Sequence, residues 1–328
     1  MAQRLADVFA ALAPDPYVLG AAVALDLVIG DPVYAWHPIR VVGRALTRIE
    51  QALRAAGLDG YGGGILLFMA LTATSLVVVA PALGVAAALS AIASWFLAVF
   101  LVYSLLALGD LLRHVWKIEA AVRAGDLVRA RIAVSALVGR DTDRMDDAAC
   151  RRAAVESLSE NLADGFVSPV FWYVLGGIPG LVLFKVVSTM DSMVGYKTPR
   201  YFEFGWCGAR LDDAMNYVPA RLTWVVVVGL ATVLPGYSGL KAWSIGLRDH
   251  GVLLGPNAGW SEAGAAGALQ RRLVGPIWLR GELVTDVWIG DSLDPPLQAG
   301  GDVTRAMVLA LLAGAVVAAS SVAVLTVP

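Results

Sequence analysis

Charge is scarce in this sequence. Only 16% of its 328 residues are Asp, Glu, Lys or Arg. The 25 basic and 27 acidic residues nearly cancel, and no basic tract is present. That excludes the electrostatic footprint of a nucleic-acid-binding protein. Only two cysteines occur, Cys150 and Cys207, far apart and without C-x-x-C spacing. Neither a zinc site nor a disulfide framework is expected from them. Repeats, low-complexity tracts and a soluble domain large enough to fold alone are also missing. The N-terminus, MAQRLADVFAALAPDPYV, lacks the basic, apolar and cleavable pattern of a signal peptide, so none is expected.

Apolar residues fill the space, at 58% of the chain. Soluble proteins hold about 45–50%, and the mean hydropathy is +0.69. Runs at 65–83, 85–108, 166–190, 218–234 and 305–327 reach or approach the roughly 20 residues a bilayer-crossing helix needs. A shorter run at 17–29 is interrupted by Asp26. The expected fold class is an all-α, polytopic integral membrane protein with about five to six apolar segments. It is read as one membrane domain, with a large amphipathic helical insertion at 109–165. Polar loops at 184–221 and 235–304 are expected to form part of the site.

Prolines and glycines set the expected breaks. Pro32 and Pro38 bracket a turning segment, and the YGGG at 61–64 reads as a flexible break. Pro81 and Gly84 mark a tight connection between two spans. GGIPG at 176–180 leaves 166–190 as one bent span or a hairpin that dips in and returns. Residues 235–302 read as a long glycine-rich loop. Arg40, Arg44 and Arg48 share one helical face. Basic residues concentrate at 30–64 and 109–165, which predicts that both face the cytoplasm.

Such charge as there is crowds into 139–221. Arg152, Glu156, Glu160 and Asp164 recur every four residues, which makes one helical stripe with Asn161 beside it. Three carboxylates on one face repel unless a cation sits among them. A magnesium ion on nucleotide phosphates would satisfy them. The alternative is a solvated face with an Arg152–Glu156 pair. Arg210, Asp213 and Tyr217 form another face, with Asp212 and Asn216 adjoining. Lys185, Asp191 and Lys197 interrupt an apolar stretch, where ionisable groups are expensive. Gly139, Arg140, Asp141 and Thr142 could form a phosphate-binding turn. His37 and His250 are acid–base candidates. Trp172, Tyr173, Trp206, Tyr217 and Trp260 read first as interfacial belt residues.

Five stretches, kept in order, resemble the CobD/CbiB family, the adenosylcobinamide-phosphate synthases. They are DLVIGDPVYAWHPIRVVGR, VGRDTDRM, AAVESLSENLADGFVSPVFWY, KVVSTMDSMVGYKTPRYFEFGWCGARLDDAMNYVPARL and GPNAGWSEAGAAGAL. The resemblance implies a multi-pass enzyme of the inner membrane, its site facing the cytoplasm. It would join a carboxylate of adenosylcobyric acid to (R)-1-amino-2-propanol or its O-phosphate, using ATP and Mg²⁺. On that reading Glu156, Glu160, Asp191 and Asp213 are catalytic. Arg140, Lys197 and Arg210 hold phosphates. Asp212, Asn216, Asn257 and His37 bind substrate, and Asp141, Glu160 and Asp164 hold the metal. The lipid bilayer, the corrinoid and the amine are the expected partners, with a homo-oligomer or other late cobalamin-pathway membrane enzymes beside them. A transporter and a non-catalytic membrane sensor or scaffold are the readings from other classes.

Overall fold

A computed structural model describes residues 10–32 and 34–327. The N-terminal stretch read for a signal peptide falls largely on residues 1–9, outside the described residues. Six helical segments are long and apolar enough to cross a membrane: Ala10–Ile29, Tyr61–Leu89, Ala91–Arg123, Asp147–Val194, Trp206–Val233 and Gly300–Thr326. The protein is thus a mostly helical, polytopic membrane protein, as its composition predicts. Read from sequence as one domain, the chain forms two compact units.

The first unit gathers residues up to Ala107, Ser168–Met215 and the chain from Ala318. Helix α1 (Pro16–Ile29) starts on a proline, and Asp15 caps it by accepting the Val18 N–H at 2.8 Å. Helix α2 (Pro38–Ala55) likewise carries proline in its first turn. It buries Leu46 and Glu50, and it exposes Arg40, Arg44 and Arg48 together.

Helix α3 (Tyr61–Leu89) corrects two expectations. The YGGG does not break the chain but opens this helix. Gly64 lets it approach the Phe204 carbonyl, which any Cβ there would strike. Pro81 and Gly84 lie inside the helix. The connection falls at Ser90, whose extended backbone ends α3 and whose hydroxyl accepts the Ala93 N–H at 3.0 Å. That cap opens α4 (Ala91–Tyr103).

Numbered in chain order, the helices of the second unit come next. They are α5 (Leu108–Arg123), α6 (Leu127–Ser135) and α7 (Asp147–Leu162), within Leu108–Val167. Asp126 and Asp146 cap the last two by accepting backbone N–H groups. A π-helical turn, Ala163–Val167, follows α7.

In the first unit, α8 (Ser168–Val194) is two helical stretches that meet at a sharp kink in GGIPG, and the chain folds back there as a hairpin does, bringing Gly180 against the Trp172 carbonyl eight residues before it. The bend is at Gly177, whose φ of 60° suits glycine and whose missing side chain admits the Leu12 carbonyl. Helix α9 (Trp206–Val233) belongs to the first unit through Met215 and to the second from Asn216.

The stretch after α9, read as a loop, is largely structured. It holds α10 (Gly239–Asp249), α11 (Ala258–Leu269) and an antiparallel hairpin of β1 (Leu273–Leu279) and β2 (Glu282–Ile289). Helix α10 returns along α9, and the Trp224 indole donates to the Ala242 carbonyl at 3.0 Å. Helix α11 is buried from Gly259 to Leu269, because Gly and Ala let neighbours approach on every side. Its small residues give no amphipathic period, which is why the sequence reads as loop. Helix α12 (Gly300–Thr326) closes the described chain.

Candidate active site

In the second unit Arg140, Glu156, Glu160 and Glu262 come together. Arg140 sits in the loop before α7. Its Nη2 donates to Glu156 Oε2 at 2.6 Å. Glu156 Oε1 accepts the Val274 N–H of β1 at 2.9 Å. Both oxygens of this buried carboxylate are therefore engaged, tying loop, helix and hairpin together. The Arg152–Glu156 pair read from the spacing is not the one formed. Arg152 instead stacks on Trp288, at 5.1 Å from the ring centroid.

Glu160 keeps the i, i+4 spacing from Glu156. Asp164 does not, because it lies in the π-helical turn, where the register changes. Asp141 turns to the hairpin, accepting the Gly281 N–H at 2.7 Å. Among the described residues, no three His, Cys, Asp or Glu side chains form a group that could hold a metal ion. Asp141, Glu160 and Asp164, read as metal ligands, therefore do not converge. One is committed to the hairpin, one stays on the helical stripe and one is turned by the π register.

Glu262 was not singled out from the sequence. It stands on α11 and is 5% exposed. Burial pushes its carboxyl well above the usual carboxylate range, Glu156 and Glu160 add to that, and Arg140 opposes it. The signal was present as the one acid in an uncharged run of small residues. Because folding favours the protonated form, stability falls as pH rises above the ordinary glutamate value of about 4.3. Glu262→Gln removes that dependence. Its thermal midpoint is expected to exceed the wild type's by a margin that widens from about pH 4.5 upward. A margin that stayed constant or shrank with pH would count against the buried-acid reading.

The same unit carries Asn257 and Asn216, both buried, with Asn257 at the N-cap of the helix that bears Glu262. Arg221 donates to Asn257 Oδ1 at 3.4 Å, and its guanidinium lies 3.4 Å from the Tyr217 ring centroid and 5.0 Å from that of Trp260. His250 stacks on Trp260 at 4.0 Å. Tyr217 and Trp260, read as belt residues, hold an arginine here instead.

The first unit holds the remaining predicted residues. Asp191 on α8 lies close enough to Asp213 on α9 for their charges to interact, and Asp213 also senses Arg210 and Lys197. Arg210 Nη1 is 3.6 Å from Asp213 Oδ2. Asp212 is half-buried beside them. Lys197 is exposed and lines an open cleft of about 640 Å³ with Thr198, Arg200 and Arg54. Glu50 Oε1 draws Arg54 and Arg200 together, at 2.9 and 3.1 Å. His37 is buried, and its Nε2 lies 2.7 Å from Asp31 Oδ1. Sequence reasoning singled out neither Glu50 nor Asp31.

Comparison with known proteins agrees with the motifs. The family model described as CobD/Cbib protein matches residues 19–310. The Cobalamin biosynthesis protein CobD of Pelobacter propionicus is 42% identical over 316 residues, covering 95% of this chain and 97% of that protein. The Cobalamin biosynthesis protein CbiB of Salmonella choleraesuis is 41% identical over 278 residues, covering 83% and 86%. A Cobalamin biosynthesis protein CobD from a Sinorhizobium species is 39% identical, covering 79% and 82%. No solved structure matches the chain. A multi-pass chain with this order of motifs, matched over nearly its whole length, belongs to the CobD/CbiB family of cobalamin biosynthesis proteins.

Proposed function

We propose that the protein is an ATP-dependent ligase of cobalamin biosynthesis, with its site on the cytoplasmic side of the inner membrane. It would form an amide between adenosylcobyric acid and (R)-1-amino-2-propanol or its O-phosphate. The observation that carries this reading is the buried set of Arg140, Glu156, Glu160 and Glu262. A membrane protein with so few charges does not place three acids around one arginine, away from solvent, without a task for them.

The chemistry asks for such a set. A carboxylate is a poor acylating agent. Its oxygen attacks the γ-phosphorus of ATP, ADP departs, and an acyl phosphate results. The amine nitrogen then attacks the acyl carbon, loses a proton and expels phosphate. Cations must balance phosphate charge in both steps, a task suited to Arg140. The amine proton needs an acceptor near neutral pH. Glu262, its carboxyl raised by burial, holds a proton more tightly than an ordinary carboxylate does, and Glu160 stands beside it. Glu156, fully engaged, holds Arg140 in place. In the second unit Asn216 and Asn257 would orient substrate; taken by itself, the first unit offers Asp191 and Asp213 as carboxylates and Asp212 and His37 as substrate contacts. Magnesium takes most of its ligands from phosphates and water and needs only one or two carboxylates.

The test is ligation by the purified protein in detergent with adenosylcobyric acid, aminopropanol phosphate, ATP and Mg²⁺, read by mass spectrometry. An amide product is expected. Glu160→Gln and Asp213→Asn should each reduce its rate by about 100-fold or more, within the range for acid–base groups. Full ligation by both variants would remove these acids from the mechanism.

A further inference from the structure

One feature of the second unit is left over from that mechanism. Beneath the β-hairpin lies a cavity of about 200 Å³, lined by Asp141, Arg144, Asp146, Arg152, Pro276 and Trp278. Its wall is tied in place. The Asp141 N–H donates to the Trp278 carbonyl at 2.9 Å, and the Asp141 carboxylate accepts the Gly281 N–H. Arg144 lies 4.6 Å from the Trp278 ring centroid. Arg152 lies 5.1 Å from that of Trp288, which Arg272 also approaches, at 4.9 Å.

Among the described residues no carboxylate lies within salt-bridge distance of either cavity arginine: Glu156 gives its oxygens to Arg140 and Val274, and it and Asp146 act on Arg152 only through longer-range charge. Among the described residues the Arg152 Nε is buried and has no hydrogen-bond partner. An unsatisfied buried donor is costly, the more so when charged, and an anionic ligand would supply the acceptor this one lacks.

Size and chemistry narrow that partner. Whole-ligand pockets run to about 300–1,000 Å³, so a cavity this small takes a group rather than a molecule. Planar guanidinium groups suit phosphate, which they grip through paired N–H donors. Asp141 and Asp146 at the same cavity would repel bare phosphate, but they suit one carrying a divalent cation.

We propose that the Arg144–Arg152 cavity beneath the hairpin receives the magnesium-bound polyphosphate chain of a nucleotide. The proposal rests on the ligase reading for the identity of that nucleotide, and it locates the nucleotide in the second unit. Phosphate on the amine substrate is the other source of the same chemistry, and the experiment separates the two.

The experiment titrates the full chain in detergent with magnesium tripolyphosphate and, separately, with aminopropanol phosphate, by calorimetry. Arg152→Gln and Arg144→Gln are each expected to weaken tripolyphosphate binding at least tenfold while leaving aminopropanol phosphate binding unchanged. Arg144 is exposed at the rim, so its variant keeps the fold even where Arg152→Gln lowers the thermal midpoint. The proposal is overturned if the wild type does not bind tripolyphosphate, if both variants bind it as the wild type does, or if the loss appears with aminopropanol phosphate instead. Ligation assays separate the two claims. Normal ligation by both variants sinks the cavity and spares the ligase. Arginine-dependent polyphosphate binding without any ligation spares the cavity and sinks the ligase.

Discussion

Glu156→Ala is expected to destabilise the protein by about 3–5 kcal/mol, the usual cost of removing one partner from a buried ion pair. Arg140 and Glu156 meet at 2.6 Å with side chains 12% and 10% exposed. The substitution leaves the guanidinium without its carboxylate and the Val274 N–H without its acceptor, so three segments of the second unit lose their common tie. Glu156→Gln keeps an acceptor for the backbone but not the charge, and it should cost less. The double variant Glu156→Ala with Arg140→Ala should be less damaged than the two single losses summed, because no orphaned charge remains. Thermal or denaturant unfolding in detergent measures this. Additive losses would mean that the pair is not coupled and that Glu156 stabilises through the backbone alone.

The second large effect lies at Glu119, which is 1% exposed on α5. Its Oε1 accepts from Arg123 Nε at 2.7 Å, and its Oε2 accepts from Arg151 Nε of α7, also at 2.7 Å. Arg151 further reaches the Gln298 carbonyl. Glu119→Ala leaves Arg151, itself largely buried, facing an empty place, and a loss of about 3–5 kcal/mol is expected. Arg123→Ala should cost far less, near the ~0–1 kcal/mol of surface pairs, since that arginine is half exposed. The contrast between the two variants is the readout. Equal losses would contradict the burial argument.

Both predictions concern residues of opposite legibility. Glu156 was visible as part of a stripe at helical spacing, because a period of 3.6 residues is a local property. Its true partner was not visible. Arg152 is four residues away and Arg140 sixteen, yet the loop folds Arg140 back while Trp288, from the hairpin, takes Arg152. Glu119 carried no signal beyond one acid on an amphipathic helix. Glu262 was hidden among glycines and alanines. Asp164 looked like a fourth member of the stripe until the π-helical turn changed the register. The apparent loop after residue 235 misled for a related reason. A helix buried on every side has no polar face to give it a period.

The sequence by itself determined the class of the protein. Long apolar runs demand helices across a bilayer, because no other open structure satisfies backbone groups there. It also determined the family, since five ordered motifs survive any uncertainty about their folding. It marked where charge is concentrated, and therefore where chemistry is to be sought. The tertiary structure decided the rest. It divided the predicted residues between two compact units, chose Arg140 over Arg152 for Glu156, and brought Glu262 to Glu156 and Glu160. It also set Arg152 in the wall of a cavity beneath the hairpin. Each of these is a contact between segments distant in sequence. Local spacing and propensity reach only a turn or two along the chain, whereas partners are chosen by packing and by the cost of leaving a buried charge alone.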